Sequence, residues 1–316
     1  MSHGDIEDSW QTQGREIADV RSFAEELGLP GLFDVHTHFM PKNVMDKVWA
    51  YFDSVGNSSE VVTPQASLLP TGKQWPIQYR DSEDVRLNTL RAFGVRGFTS
   101  MIYPHKPEMA AWLNQWGAQF ARRTPDCVRT ATFYPEQSAA TYVEEAIEGG
   151  ARIFKSHIQV GNYSPNDPLL KPVWGAIQDA SIPVVIHCGS GPTPGAHTGP
   201  GPIAELLGRF PRLPLIIAHM GMPEYGEFLD LAERFDEVRL DTTMAFTDFS
   251  EASWPFPEAD KPRLRDLQHR ILFGSDFPNI PYSYLDALTA VQRLDLGDDW
   301  VRDVCYHNGA DLFDLS

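Results

Sequence analysis

Gly31-Leu32-Phe33-Asp34-Val35-His36-Thr37-His38 closes a short apolar run with two histidines one residue apart. In an extended strand residues i and i+2 share a face, so His36 and His38 can reach one ion together while Thr37 points away. Three later apolar runs end in the same manner. Residues 182–186 lead to His187, residues 213–218 to His219, and residues 271–275 to Asp276. Four strand ends that finish in histidine or aspartate predict side chains converging at one rim of a sheet. Imidazole nitrogens with a carboxylate suit zinc or a similar divalent ion.

Outward from these endings, short apolar runs alternate with amphipathic stretches. The predicted strands cover residues 32–36, 97–103, 128–134, 151–155, 183–187, 213–219, 238–242 and 271–276. Helical patterns lie between them at 107–122, 138–148, 170–180, 203–210 and 224–235, with another at 81–93 that Asp81 or Ser82 would cap. Alternating strand and helix predicts a parallel sheet. Eight repeats in about 250 residues predict an α/β fold, a closed (β/α)8 TIM barrel, as a single domain over residues 31–316. Catalytic groups of such barrels sit at the C-terminal strand ends. His36, His38, His187, His219 and Asp276 all fall there, after strands one, five, six and eight. The competing fold, an open doubly wound sheet, would gather its ligands near one switch point.

Residues 1–30 precede the barrel: a loose polar leader to residue 15, then a helix at 16–27 that Gly28 and Pro30 end. Residues 41–80 leave directly from strand one. They read as an insertion over the barrel mouth, with a short helix at 44–52 and an irregular, Ser-, Pro- and Gly-rich excursion over 55–75. Trp75, Tyr79 and Arg80 of this insertion are candidates to exclude water and hold an anionic group. An insertion of this kind can also serve a homodimer contact.

The chain has 316 residues, 42% of them hydrophobic and 22% charged, the composition of a soluble globular protein. No apolar stretch approaches the ~18 residues of a membrane helix, and the first residues lack the basic-then-apolar order of a signal peptide. Cys127, Cys188 and Cys305 are odd in number and widely spaced, so no disulfide framework is expected and a cytoplasmic location fits. A net charge of −17 argues against nucleic acid or an anionic membrane as partner. It leaves room for a small, anionic substrate. The glycine-rich stretch 189–195 lacks the spacing of a dinucleotide or P-loop motif and reads as an active-site loop. His105 and His197 read as ordinary loop histidines, and no catalytic-cysteine signature surrounds Cys188.

Asp34-Val35-His36-Thr37-His38, Ile186-His187-Cys188-Gly189, Ala218-His219-Met220-Gly221, Phe273-Gly274-Ser275-Asp276-Phe277-Pro278 and Asn308-Gly309-Ala310-Asp311-Leu312-Phe313 occur in that order. Together they resemble the amidohydrolase superfamily. Within it they resemble the amidohydrolase-related (amidohydrolase 2) branch that includes aminocarboxymuconate semialdehyde decarboxylase. The resemblance runs from residue 31 to the C-terminus. It implies that His36, His38, His187 and Asp276 hold one divalent metal ion, zinc with manganese or cobalt as alternatives, and that His219 works beside it in catalysis. In other superfamily members a strand-four lysine is carbamylated and bridges two metals, which would recruit Lys155. In the branch resembled here the site usually holds one metal. Lys155 and His157, on one strand face, would then bind an anionic or carbonyl oxygen of the substrate, with Arg80 as a further substrate-binding candidate.

The leading expectation is a metal-dependent hydrolase that cleaves an amide, ester or lactone. Asp276 would accept a proton from the attacking water, and His219 would orient that water or protonate the leaving group. The alternative is a non-oxidative decarboxylase of an unsaturated or aromatic acid, which a cluster of arginines aimed at a carboxylate would favour. A non-catalytic binding barrel is the third class, and the intact ligand set argues against it.

Overall fold

The computed structural model describes the backbone of residues 3–57 and 75–315 and the side chains of residues 13–54 and 75–315. The irregular excursion predicted over 55–75 lies almost wholly outside the described residues. Nine strand segments occupy the eight predicted positions: β1 (Leu32–Asp34), β2 (Val95–Thr99), β3 (Cys127–Val128), β4 (Thr130–Thr132), β5 (Ile153–His157), β6 (Val184–His187), β7 (Leu215–Ile217), β8 (Val238–Asp241) and β9 (Ile271–Leu272). β3 and β4 are two halves of one predicted strand, divided at Arg129. β3 pairs back to β2 and β4 pairs forward to β5.

Every paired neighbour runs parallel. The ring closes between its last and first strands. Val35 N donates to Phe273 O at 2.9 Å, and Asp276 N to His36 O at 2.9 Å. Buried Asp34 ties the same seam from below. Its carboxylate accepts from Ser275 Oγ at 2.6 Å and from Tyr284 Oη at 2.9 Å. The fold is therefore the (β/α)8 barrel. Alternation sorts its side chains. Val185 and Ile216 pack inside the barrel with Phe33, Val35, Met101 and Leu272, whereas Val184, Ile186, Leu215 and Ile217 face the outer helices.

The helices follow from local chemistry. α1 (His3–Glu26), α2 (Lys42–Asn57) and α3 (Glu83–Phe93) are the first three. α3 begins where Ser82 Oγ accepts from Val85 N, and it ends at Gly94, whose φ of 88° a residue with a Cβ adopts only under strain. Two predictions need correction. The stretch expected to be a loose leader is helical from His3, because no proline interrupts the chain before Pro30. α2 extends past the predicted 44–52 at both ends. No helix of the described residues is long and apolar enough to cross a membrane.

Candidate metal centre and its pocket

The four predicted strand endings meet at the C-terminal rim of the barrel. A ligand atom each from His36, His38 and Asp276 lies within 4.8 Å of the others, and all three residues are buried. His38 Nδ1 sits 2.9 Å from Met101 O, a carbonyl that can only accept, so Nδ1 carries the proton and Nε2 holds a lone pair. That lone pair faces Asp276 Oδ1 at 2.8 Å. His36 is arranged in the same way. Its Nδ1 lies 2.9 Å from Asp241 Oδ2, which turns Nε2 inward, 3.5 Å from the same Asp276 oxygen. Two imidazole lone pairs and a carboxylate converge on one point. The Lys155 ammonium meets the one on His36 at 3.0 Å, and the one on His38 faces only the carboxylate, a cluster that a cation stabilises. The backing of each ring by an acceptor is the arrangement of metal-ligating histidines. The donor set fits a divalent ion.

Electrostatics support this reading. Burial, and after it the Lys155 ammonium, push His36 down to about 3, so the ring is neutral at pH 7. Burial alone would raise Asp276, but the His38 and His36 rings, charged in the acid range where this carboxyl titrates, overcome it and hold the carboxyl below the usual range. Asp276 has φ 72° and His219 φ 56°, left-handed values that a non-glycine residue adopts at a cost of order 1–3 kcal/mol. The strain turns both side chains into the mouth.

His187 does not join the three-residue group. Its Nε2 lies 3.2 Å from Gly191 O, which leaves Nδ1 as the free lone pair, and its ring stacks on His157 at 4.1 Å. Its ring stands 4.7 Å from that of His219. His219 Nδ1 lies 3.1 Å from Thr243 O, so its Nε2 is the unprotonated nitrogen. Burial lowers the pKa of His219 despite Asp276 and Asp241, and it is a neutral base. Lys155, fully buried, places Nζ 3.0 Å from His36 Nε2, and burial pulls it down to about 8. His157 accepts from Val160 N through Nδ1, and burial, then His187, keep it neutral.

Arg80 is not brought to the site. Its guanidinium forms an exposed bidentate pair with Asp53 at 2.6 and 2.8 Å, and it does not line the cavity. A carboxylate on neighbouring α2 captures it, while Tyr79 turns inward. Trp75 does reach the pocket, and so does His105, which read as an ordinary loop histidine.

Sequence reasoning missed Asp241. One of its oxygens holds His36, and the other accepts the backbone N–H of His219 at 2.9 Å and of Thr243 at 3.1 Å. Its signal was present, since it too is an acid closing an apolar strand. Asn279 was also missed, in the turn that follows Asp276. The cavity above these groups measures about 740 Å³, the scale of a small-molecule site. Phe52, Trp75 and Phe249 form an aromatic wall, with ring centroids 5.1 and 4.9 Å apart. Among the described residues Asp276 is the only carboxylate lining the cavity, Lys47 and Lys155 are its lysines, and no arginine reaches it.

A family model described as Amidohydrolase matches residues 33–315. No curated protein matches the sequence. Solved structures share the barrel. An uncharacterized TIM-barrel protein from Bordetella bronchiseptica is 19% identical, with 90% of this chain and 99% of that one covered and a TM-score of 0.66. For 5-carboxyvanillate decarboxylase from Sphingomonas paucimobilis the values are 16%, 91%, 100% and 0.58. For a probable 2-pyrone-4,6-dicarboxylic acid hydrolase from Acinetobacter baumannii, with citric acid bound, they are 14%, 90%, 99% and 0.55. At these identities the likeness establishes the fold.

Proposed function

The chain belongs to the amidohydrolase family, and on that premise we propose that it is a metal-dependent hydrolase of a small ester, lactone or amide. The observation that carries this reading is the convergence of lone pairs from His36, His38 and Asp276. His187 would complete the set through Nδ1, and zinc, with manganese or cobalt as alternatives, suits these donors. Bound there, the ion would polarise a carbonyl and make water more acidic. Asp276, held ionised, accepts the proton of the attacking water. His219, neutral with Nε2 unprotonated, orients that water, then takes the proton from Asp276 and passes it to the leaving group. Lys155 and His157 present donors to the substrate's oxygens from β5. In this mononuclear reading Lys155 would have to leave His36 Nε2 for that atom to hold the ion. Carbamylation of Lys155, bridging a second ion, is the alternative outcome.

The absence of an arginine among the described cavity residues favours hydrolysis over decarboxylation. The decarboxylase reading is kept for one observation: the aromatic wall formed by Phe52, Trp75 and Phe249 suits a flat acid. The two are separated by assaying metal-loaded protein on aryl esters and lactones and, in parallel, by carbon dioxide release from hydroxybenzoates. Turnover of the first panel supports the hydrolase. Carbon dioxide release with no ester or lactone turnover overturns it.

A further inference from the structure

Asn279 is a side chain whose surroundings fix one end and leave the other to a ligand. It lines the cavity yet is only 3% exposed. Its backbone N–H donates to Asp276 O at 2.8 Å, in the turn that carries the metal-ligand candidate. Its backbone carbonyl accepts the indole N–H of Trp75 at 2.7 Å. Its side-chain oxygen accepts the indole N–H of Trp49 at 3.0 Å. An indole nitrogen can only donate, so the amide atom facing Trp49 must be Oδ1 and the flip of the amide is settled. Nδ2, with two N–H donors, therefore points away from Trp49, and no acceptor among the described residues meets it. The residue is buried as a whole, yet Nδ2 is not one of the enclosed polar atoms left without a partner, so it keeps access to the cavity, where a ligand oxygen can take the place of water.

The charge of the cavity says what kind of oxygen. In a chain with 43 acidic residues, the only carboxylate among the described cavity residues is Asp276. The cavity is thus locally depleted of negative charge inside an acidic protein, which suits an anionic ligand. Of the two indoles that hold Asn279, that of Trp75 belongs to the aromatic wall with Phe52 and Phe249, which suits a flat ligand.

We propose that Asn279 Nδ2 donates a hydrogen bond to an oxygen of a flat, carboxylate-bearing substrate, with Trp49 and Trp75 as positioning residues that hold the amide for it. The proposal rests on the functional reading of this cavity and narrows its substrate class to planar conjugated acids. It does not depend on the bond that is cleaved.

The test measures binding without turnover. Zinc-loaded, full-length protein is titrated calorimetrically with benzoate, salicylate, cinnamate and isophthalate. Asn279→Asp keeps the size of the side chain and its acceptor toward Trp49 but replaces the donor with a charge. It should weaken binding of these acids about 30-fold or more, and Asn279→Ala about 10-fold. Trp49→Phe, which frees the amide, should weaken binding several-fold and leave zinc content unchanged. Rescue by Asn279→Gln to within about threefold would mark a donor rather than a packing role. Acid affinities within about threefold of native in both Asn279→Asp and Asn279→Ala, at equal zinc content, overturn the proposal. Failure of the native protein to bind any of the four acids overturns it too. If the native protein hydrolyses no ester or lactone but acid binding still depends on Asn279, the hydrolase reading falls and this one stands.

Discussion

His36 Nδ1 meets Asp241 Oδ2 at 2.9 Å across 205 residues of sequence, and the other oxygen of the same carboxylate holds the backbone of His219. One buried acid thus sets the tautomer of a metal-ligand candidate and the position of the candidate catalytic histidine. Asp241→Asn would present an amide N–H, or an oxygen without charge, to His36 Nδ1. The lone pair on Nε2 would no longer be enforced. Metal affinity should fall about 10–100-fold, read by competition with a chromophoric chelator. An unchanged dissociation constant would show that His36 does not bind the ion through Nε2.

His187 and His219 should separate when each is changed to alanine. Purified native protein is expected to hold about one divalent ion per chain. His187→Ala should lose metal and activity together. His219→Ala should keep most of its metal and lose kcat by about 100-fold or more. Metal analysis by mass spectrometry, alongside kinetics, distinguishes them. Equal metal loss in both variants would make His219 a ligand.

The acid limb of the pH profile should lie low. Burial holds His219 below the ordinary histidine value of 6.5, so its base form persists on acidification to below that pH. For metal-loaded enzyme, kcat/KM should be level between about pH 7 and 6.5, with its acid limb falling only below that. The acidic direction of loss follows from the role: protonation of Nε2 removes the acceptor through which His219 orients the water and takes up the proton it passes on. A limb with its midpoint above 7 would assign the titration to another group.

Lys155 Nζ, 3.0 Å from His36 Nε2, competes for the lone pair that the ion needs. Lys155→Met should therefore bind the first ion at least as tightly as the native chain, while KM rises through the loss of a donor to substrate. Loss of metal in this variant, with extra mass on Lys155 in the native protein, would support a carbamate bridge.

Gly274 lies where β9 closes onto β1. A Cβ there would stand 2.8 Å from His36 Cβ and collide with Thr243 Oγ1. Gly274→Ala should destabilise the fold by about 1–3 kcal/mol and weaken metal binding, since relief requires His36 to move. Urea denaturation and metal titration check both effects. Native-like values in both would mean that the seam is looser than described.

The strand endings and the barrel were legible in the sequence because their signals are local. An apolar run of about five residues, a histidine or aspartate at its end and a helix-period stretch after it each report on a few neighbouring residues. The spacing of His36 and His38 alone places both imidazoles on one face. Partner choice is not local, and there the tertiary structure decided. Arg80 belongs to Asp53 because α2 folds back beside it, and nothing within either segment specifies that pairing. Asp241 closes its strand like the other acids, but its hold on His36 exists only once β8 and β1 reach the same rim. The inward lone pairs of His38 and His219 come from carbonyls of Met101 and Thr243, backbone groups that are identical in every residue and so leave no mark on composition. Asn279 carries no signal in the sequence, and two tryptophans from the segments after β1 close on it only in the folded barrel. Periodicity reports which face a side chain occupies. Which atom meets it there is set by contacts hundreds of residues apart, and those form only when the barrel closes.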